Sequence, residues 1–131
     1  MRFFSMVKSL SRDSLIRLCH LDYDREMALV AEHRDAAGRP HLAGVSRYYL
    51  NPETRTAEFA VVVNDRWQGQ GLGWHLMERL IDVARQRGVK RLVGGVLREN
   101  ASMLKLVREL GFTEHLGNDP SAVEVTLDLA P

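Results

Sequence analysis

The chain has 131 residues, 45% of them hydrophobic and 27% charged, with a formal net charge of +1 at pH 7. That length and mixture fit one globular domain around one core, while the near-neutral balance leaves no broad basic face for nucleic acid and demands no acidic partner. A single cysteine, Cys19, cannot close an internal disulfide, and no apolar run approaches the roughly 20 residues of a membrane span, so a soluble, cytoplasmic protein without membrane contact is expected.

From Ser11, read as an N-cap, Leu15, Ile16, Leu18 and Cys19 have helical spacing, which predicts a helix ending near LDYD. REMALVAEH (25–33) and HLAGVSRYYL (41–50) then read as strands around the turn RDAAGRP, and TAEFAVVV (56–63) follows after NPET, where Pro52 removes a ladder donor. Leu72, Leu76, Leu80 and Ala84 recur at helical spacing, with Met77 and Ile81 widening the stripe, until Gly88 stops the helix. RLVGGVL (91–97) reads as a largely buried strand, in which Gly94 and Gly95 mark a bulge or close approach by a ligand. A second helix opens at Asn100, carries Met103, Leu106, Val107 and Leu110, and ends at Gly111; VEVTLDL (123–129) alternates as a strand with one solvated face. The sum is an α+β domain with a mixed sheet.

Between the third strand and the next helix lies NDRWQGQGLGWHL (64–76), with glycines at 69, 71 and 73. Such a joint presents backbone N–H groups at the positive end of a helix without side chains in the way, a seat for phosphate or pyrophosphate. GQGLGW fits neither G-x-G-x-x-G nor a P-loop, and a flexible turn explains three glycines equally well. The five histidines show no metal-ligand spacing, so no metal is expected.

The register Gln68-x-x-Gly71-x-Gly73 after an apolar strand resembles the acetyl-CoA pyrophosphate loop of the GNAT superfamily of N-acetyltransferases. NASMLKLVRELGF (100–112) is similar to that superfamily's other signature, an Asn at a helix start and a helix ending in Leu-Gly-Phe. Over almost the whole chain the sequence resembles the GNAT domain of bacterial Pat-type protein lysine acetyltransferases, DYDREMALVA (22–31) included. The resemblance implies a GNAT fold, acetyl-CoA as cosubstrate, and a protein lysine as acceptor, typically on an acyl-CoA synthetase. Relative to a complete GNAT domain the segment before RFFSMVKSL lacks a strand and a helix. A fragment of a larger protein is therefore expected, with self-association through the bare N-terminal edge.

The resemblance assigns cofactor contacts to Val61, Val62 and Val63, whose strand offers backbone groups, to Gln68, Gly69, Gln70, Gly71, Leu72, Gly73 and Trp74 in the loop, and to Asn100. Asn100 reads equally as an N-cap. Arg66 and Trp67 border the lysine entrance or the CoA phosphates, or merely shield the loop. A lysine amine, with a pKa of about 10.4, must lose a proton before it attacks a thioester. Glu58 shares a strand face with Thr56, Ala60 and Val62 and is the candidate base, with Asp65 next; pairing across the hairpin, for instance with Arg47, or simply facing solvent is the structural alternative. Pat-type enzymes place their catalytic glutamate in this strand, which favours Glu58. Partial burial would raise its pKa. Val107 stands where many GNAT enzymes carry a tyrosine acid, and a thiol of pKa near 8.5 can leave without one. A small-molecule amine acetyltransferase and a non-catalytic acetyl-CoA-sensing module are the competing functions.

Overall fold

The computed structural model describes residues 3–11, 14–22, 25–64 and 71–129, with side chains from residue 25 onward. The elements are β1 (Phe3–Ser11), β2 (Ser14–Asp22), β3 (Glu26–Arg34), β4 (Pro40–Asn51), β5 (Thr56–Val63), α1 (Leu72–Gln86), β6 (Arg91–Leu97), α2 (Ala101–Glu109), β7 (Thr113–Leu116) and β8 (Ala122–Asp128). They form one sheet in the order β1-β2-β3-β4-β5-β6-β8-β7. Every pairing is antiparallel except that of β5 with β6, which α1 connects as a crossover.

The meander β3-β4-β5 and both later helices form where periodicity places them. The turn between β3 and β4 closes because Asp35 Oδ1 accepts from the backbone N–H groups of Ala37 and Arg39 and Gly38 takes a φ of 81°. The start of the chain differs from its sequence reading. Residues 14–22 form β2, not a helix, and pair antiparallel with β3, Ile16 opposite Ala31, Leu18 opposite Leu29 and His20 opposite Met27. Apolar residues at 15, 16, 18 and 19 satisfy a helical and a β template at once, and ladder hydrogen bonds to β3 decide between them. Cys19 thus lies in a strand, opposite Ala28. Strand β7, four residues long, carries too little pattern to be read from sequence.

Burial alternates along the central strands. On the helix side, Ser46, Tyr48 and Leu50 of β4 and Ala57 and Phe59 of β5 are buried, with Val61 and Val63 packed against them. Leu72, Leu76, Met77, Leu80 and Ala84 of α1 complete this core, and Val107 of α2 joins it fully buried. The fit is close: a Cβ at Gly44 would lie 2.9 Å from a Leu76 methyl, and the buried Ser46 hydroxyl donates to the Leu76 carbonyl at 3.0 Å. The opposite face leaves Arg47, Tyr49, Glu58, Ala60, Val62 and Leu97 exposed.

The glycines of β6 have a packing origin. A Cβ at Gly94 would meet the Phe59 ring at 2.6 Å, and that ring tilts against Phe112 with centroids 5.3 Å apart. The β6–β8 register runs without a shift, so neither glycine marks a bulge there. Arg55, at φ 60°, ties the β4–β5 turn to the end of α1 by donating to the carbonyls of Arg87 and Gly88.

Candidate active site

Strands β5 and β6 pair only over Thr56–Arg91, Ala57–Leu92 and Glu58–Val93. Both continue beyond this point, β5 to Val63 and β6 to Leu97, without further pairing, so the sheet opens as a wedge. The crossover leaves β5 at Val63, at the open end, and returns to β6 at Arg91, at the paired end, so no tight turn holds the two strands together beyond the ladder.

A cleft of about 790 Å³ borders the unpaired part of β5. Val61, Val62 and Val63 form one wall, Gly71, Leu72, Gly73 and Trp74 another, and Asn100, Met103 and Leu106 with their neighbours on α2 a third. These are all the described residues of the sequence-derived cofactor set. Gln68, Gly69 and Gln70, together with Asp65, Arg66 and Trp67, lie outside the described residues. Gly71 is the N-cap of α1 at φ 80° and supplies no side-chain cap, and the first turn holds no acidic residue. Among the described residues no side chain caps the first N–H groups of α1, and such a helix start suits a phosphate group. Gly73 has a further role: a Cβ there would sit 3.2 Å from a Leu106 methyl, so its smallness also lets α1 approach α2. Asn100 is the N-cap of α2, its Oδ1 accepting from Met103 N at 3.1 Å and from the Ser102 hydroxyl at 3.2 Å. The same residue lines the cleft.

Glu58 stands apart from this cleft. It occupies the last paired rung and is exposed, so the partial burial expected of it is not found. It lines a concavity of about 270 Å³ with Glu26, Arg47, Tyr49 and Ala60, and a neighbouring one of about 430 Å³ with Arg25, Thr56 and Val93. Tyr49, not Arg47, is its cross-strand partner, since Arg47 lies opposite Ala60. Glu58 forms no ion pair with any described residue. Glu26 and Tyr49 were not singled out from the sequence; only the register Glu26–Tyr49–Glu58 across three strands brings them beside Glu58. Val107 is fully buried, so position 107 presents no acid to the cleft. Among the described residues no group of three or more His, Cys, Asp or Glu could hold a metal ion, and no helix is long and apolar enough to cross a membrane.

This fold, with its wedge and glycine-capped helix, is that of acyl-CoA-dependent N-acyltransferases. Residues 2–112 match the model of the acetyltransferase (GNAT) family, and the chain belongs to that family. It is 37% identical over 121 residues to acetyltransferase PA5475 of Pseudomonas aeruginosa, covering 92% of this chain and 64% of that protein. It is 31% identical over 130 residues to acetyltransferase Pat of Mycolicibacterium smegmatis, covering 99% of this chain and 38% of Pat. A shorter match, 44% over 57 residues, covers 44% of this chain and 33% of the L-amino acid N-acyltransferase MnaT of Escherichia coli. The chain thus spans less than two thirds of the length of these relatives. Among solved structures, yncA of Salmonella typhimurium with its cofactor acetyl-CoA aligns at a TM-score of 0.66 and 28% identity, over 81% of this chain and 66% of that one. Acetyl-CoA is the cosubstrate of that family, and the yncA structure carries it as its cofactor.

Proposed function

We propose that this chain moves an acetyl group from acetyl-CoA to the side-chain amine of a protein lysine, by direct attack within a ternary complex in the cytoplasm, and that the acceptor is an acyl-CoA synthetase. The observation that carries the reading is the parting of β5 from β6 immediately after the Glu58–Val93 rung, which leaves the base at the root of the wedge and the anion seat of α1 beside its open part. The likeness to Pat extends over nearly the whole chain, whereas that to the amino-acid acyltransferase covers under half, which supports a protein acceptor.

Bound acetyl-CoA supplies the thioester carbon that the amine attacks and the thiolate that leaves. On the protein side, the first turn of α1 and the glycines before it hold the pyrophosphate, and the free edge of β5 at Val61–Val63 offers backbone groups to the pantetheine arm. Glu58 accepts the ammonium proton directly or through one water, making the neutral amine available for C–N bond formation. With Val107 in the core, no side chain there protonates the sulfur, and a leaving group of pKa near 8.5 needs none.

The test is incubation with acetyl-CoA and an acyl-CoA synthetase, followed by mass-spectrometric mapping of acetyl-lysine. Modification of one defined lysine supports the reading. Turnover of polyamines or amino acids with no protein modification would replace it with a small-molecule acetyltransferase, and tight cofactor binding without any turnover with a sensing module.

A further inference from the structure

Among its described lining residues the cleft beside α1 carries little positive charge for the ligand proposed for it. A helix N-terminus offers the equivalent of roughly half an elementary charge. Coenzyme A brings a pyrophosphate and, beyond a ribose, a 3′-phosphate that alone carries about −1.5 to −2 at pH 7. Two lining residues, Glu99 and Glu109, add negative charge to the cleft. Among the described lining residues Lys105 is the only Lys or Arg. It lies on α2 and lines the same cleft as Gly71, Leu72 and Gly73 at the start of α1. Glu109 follows it by one helical turn, yet Lys105 is exposed and forms no ion pair with any described carboxylate.

We propose that Lys105 is the counter-ion of the 3′-phosphate and lets this domain distinguish coenzyme A from its 3′-dephospho form. The inference rests on reading the cleft as the acetyl-CoA seat. Two anionic groups then meet two separate seats: the pyrophosphate the backbone N–H groups of α1, and the phosphomonoester the ammonium on α2. A lysine suits the second position because a terminal phosphate is approached from many directions by a point charge on a flexible stem.

Calorimetry with coenzyme A and 3′-dephospho-coenzyme A decides it. The native chain should bind coenzyme A about 10-fold more tightly, the scale of one charge-assisted contact. Lys105→Met should lose about that factor for coenzyme A and nothing for the dephospho form, and Lys105→Arg should keep the preference. Equal losses for both ligands would move Lys105 to the pyrophosphate and overturn the assignment, as would an unchanged preference in Lys105→Met. Gly71→Asp, which places a carboxylate in the anion seat, separates the two levels. If it leaves coenzyme A affinity intact, the cleft reading itself falls and Lys105 falls with it; if it abolishes binding while Lys105→Met changes nothing, only the Lys105 assignment falls.

Discussion

Glu58 of β5 faces Val93 of β6 in the last rung that joins these two parallel strands, and the sheet opens directly beyond it. The register therefore fixes the candidate base at the root of the wedge, while Val61, Val62 and Val63 of the same strand line the cleft.

Glu58→Gln is nearly isosteric and exposed, so folding and acetyl-CoA affinity should be unaffected. A positioned general base contributes about 10²- to 10⁴-fold, and kcat should fall by that order. Raising the pH toward the lysine pKa of about 10.4 should restore part of the rate, because the missing step is proton removal. A kcat–pH series on both proteins checks this; full activity in the variant would move the base elsewhere.

Gly71 sits at φ 80° with open space around its Cβ position, so Val there would be strained by its backbone alone. Asp visits that left-handed conformation more readily than a β-branched residue does. Gly71→Asp should lower the melting temperature modestly, by the strain of about 1–2 kcal/mol at this φ, while its carboxylate expels phosphate from the helix end. Thermal melts with and without acetyl-CoA show both effects: the ligand-induced rise of the native chain should vanish.

Gly94→Ala should destabilise the domain by about 1–3 kcal/mol, because the new methyl enters the space of the Phe59 ring. Gly95→Ala, one residue on and facing open space, should cost nothing and can gain a few tenths to about 1 kcal/mol by restricting the unfolded chain. Urea titrations of the pair separate packing from chain stiffness.

Burial holds the Tyr48 phenol above its usual pKa, with Arg87 and Arg55 partly opposing the shift. A folded-state value above the unfolded one contributes stability below pH about 10 that is lost as pH rises through the folded value. Tyr48→Phe should remove that alkaline loss. Denaturant melts between pH 8 and 11 should show the difference in stability between the two proteins constant at the lower end and shifting in favour of the variant above pH 10.

Local chemistry made much of this molecule legible before any coordinate was known. The three-strand meander, α1 with its Gly88 stop, α2 with its Asn100 cap and the glycine joint ahead of α1 each depend on periodicity or on one residue's conformational preference, which act within a few positions. The identity of residues 14–22 did not: helix and strand patterns fitted it equally, and the ladder to the separate strand β3 made it β2. Gly94 has to be small because of Phe59, 35 positions upstream. The exposure of Glu58, its company of Glu26 and Tyr49, and the point at which β5 leaves β6 are likewise products of strand order and register. Residue types and short-range spacing specify elements, whereas which faces meet and where a ladder ends depend on contacts between segments that only the folded chain brings together.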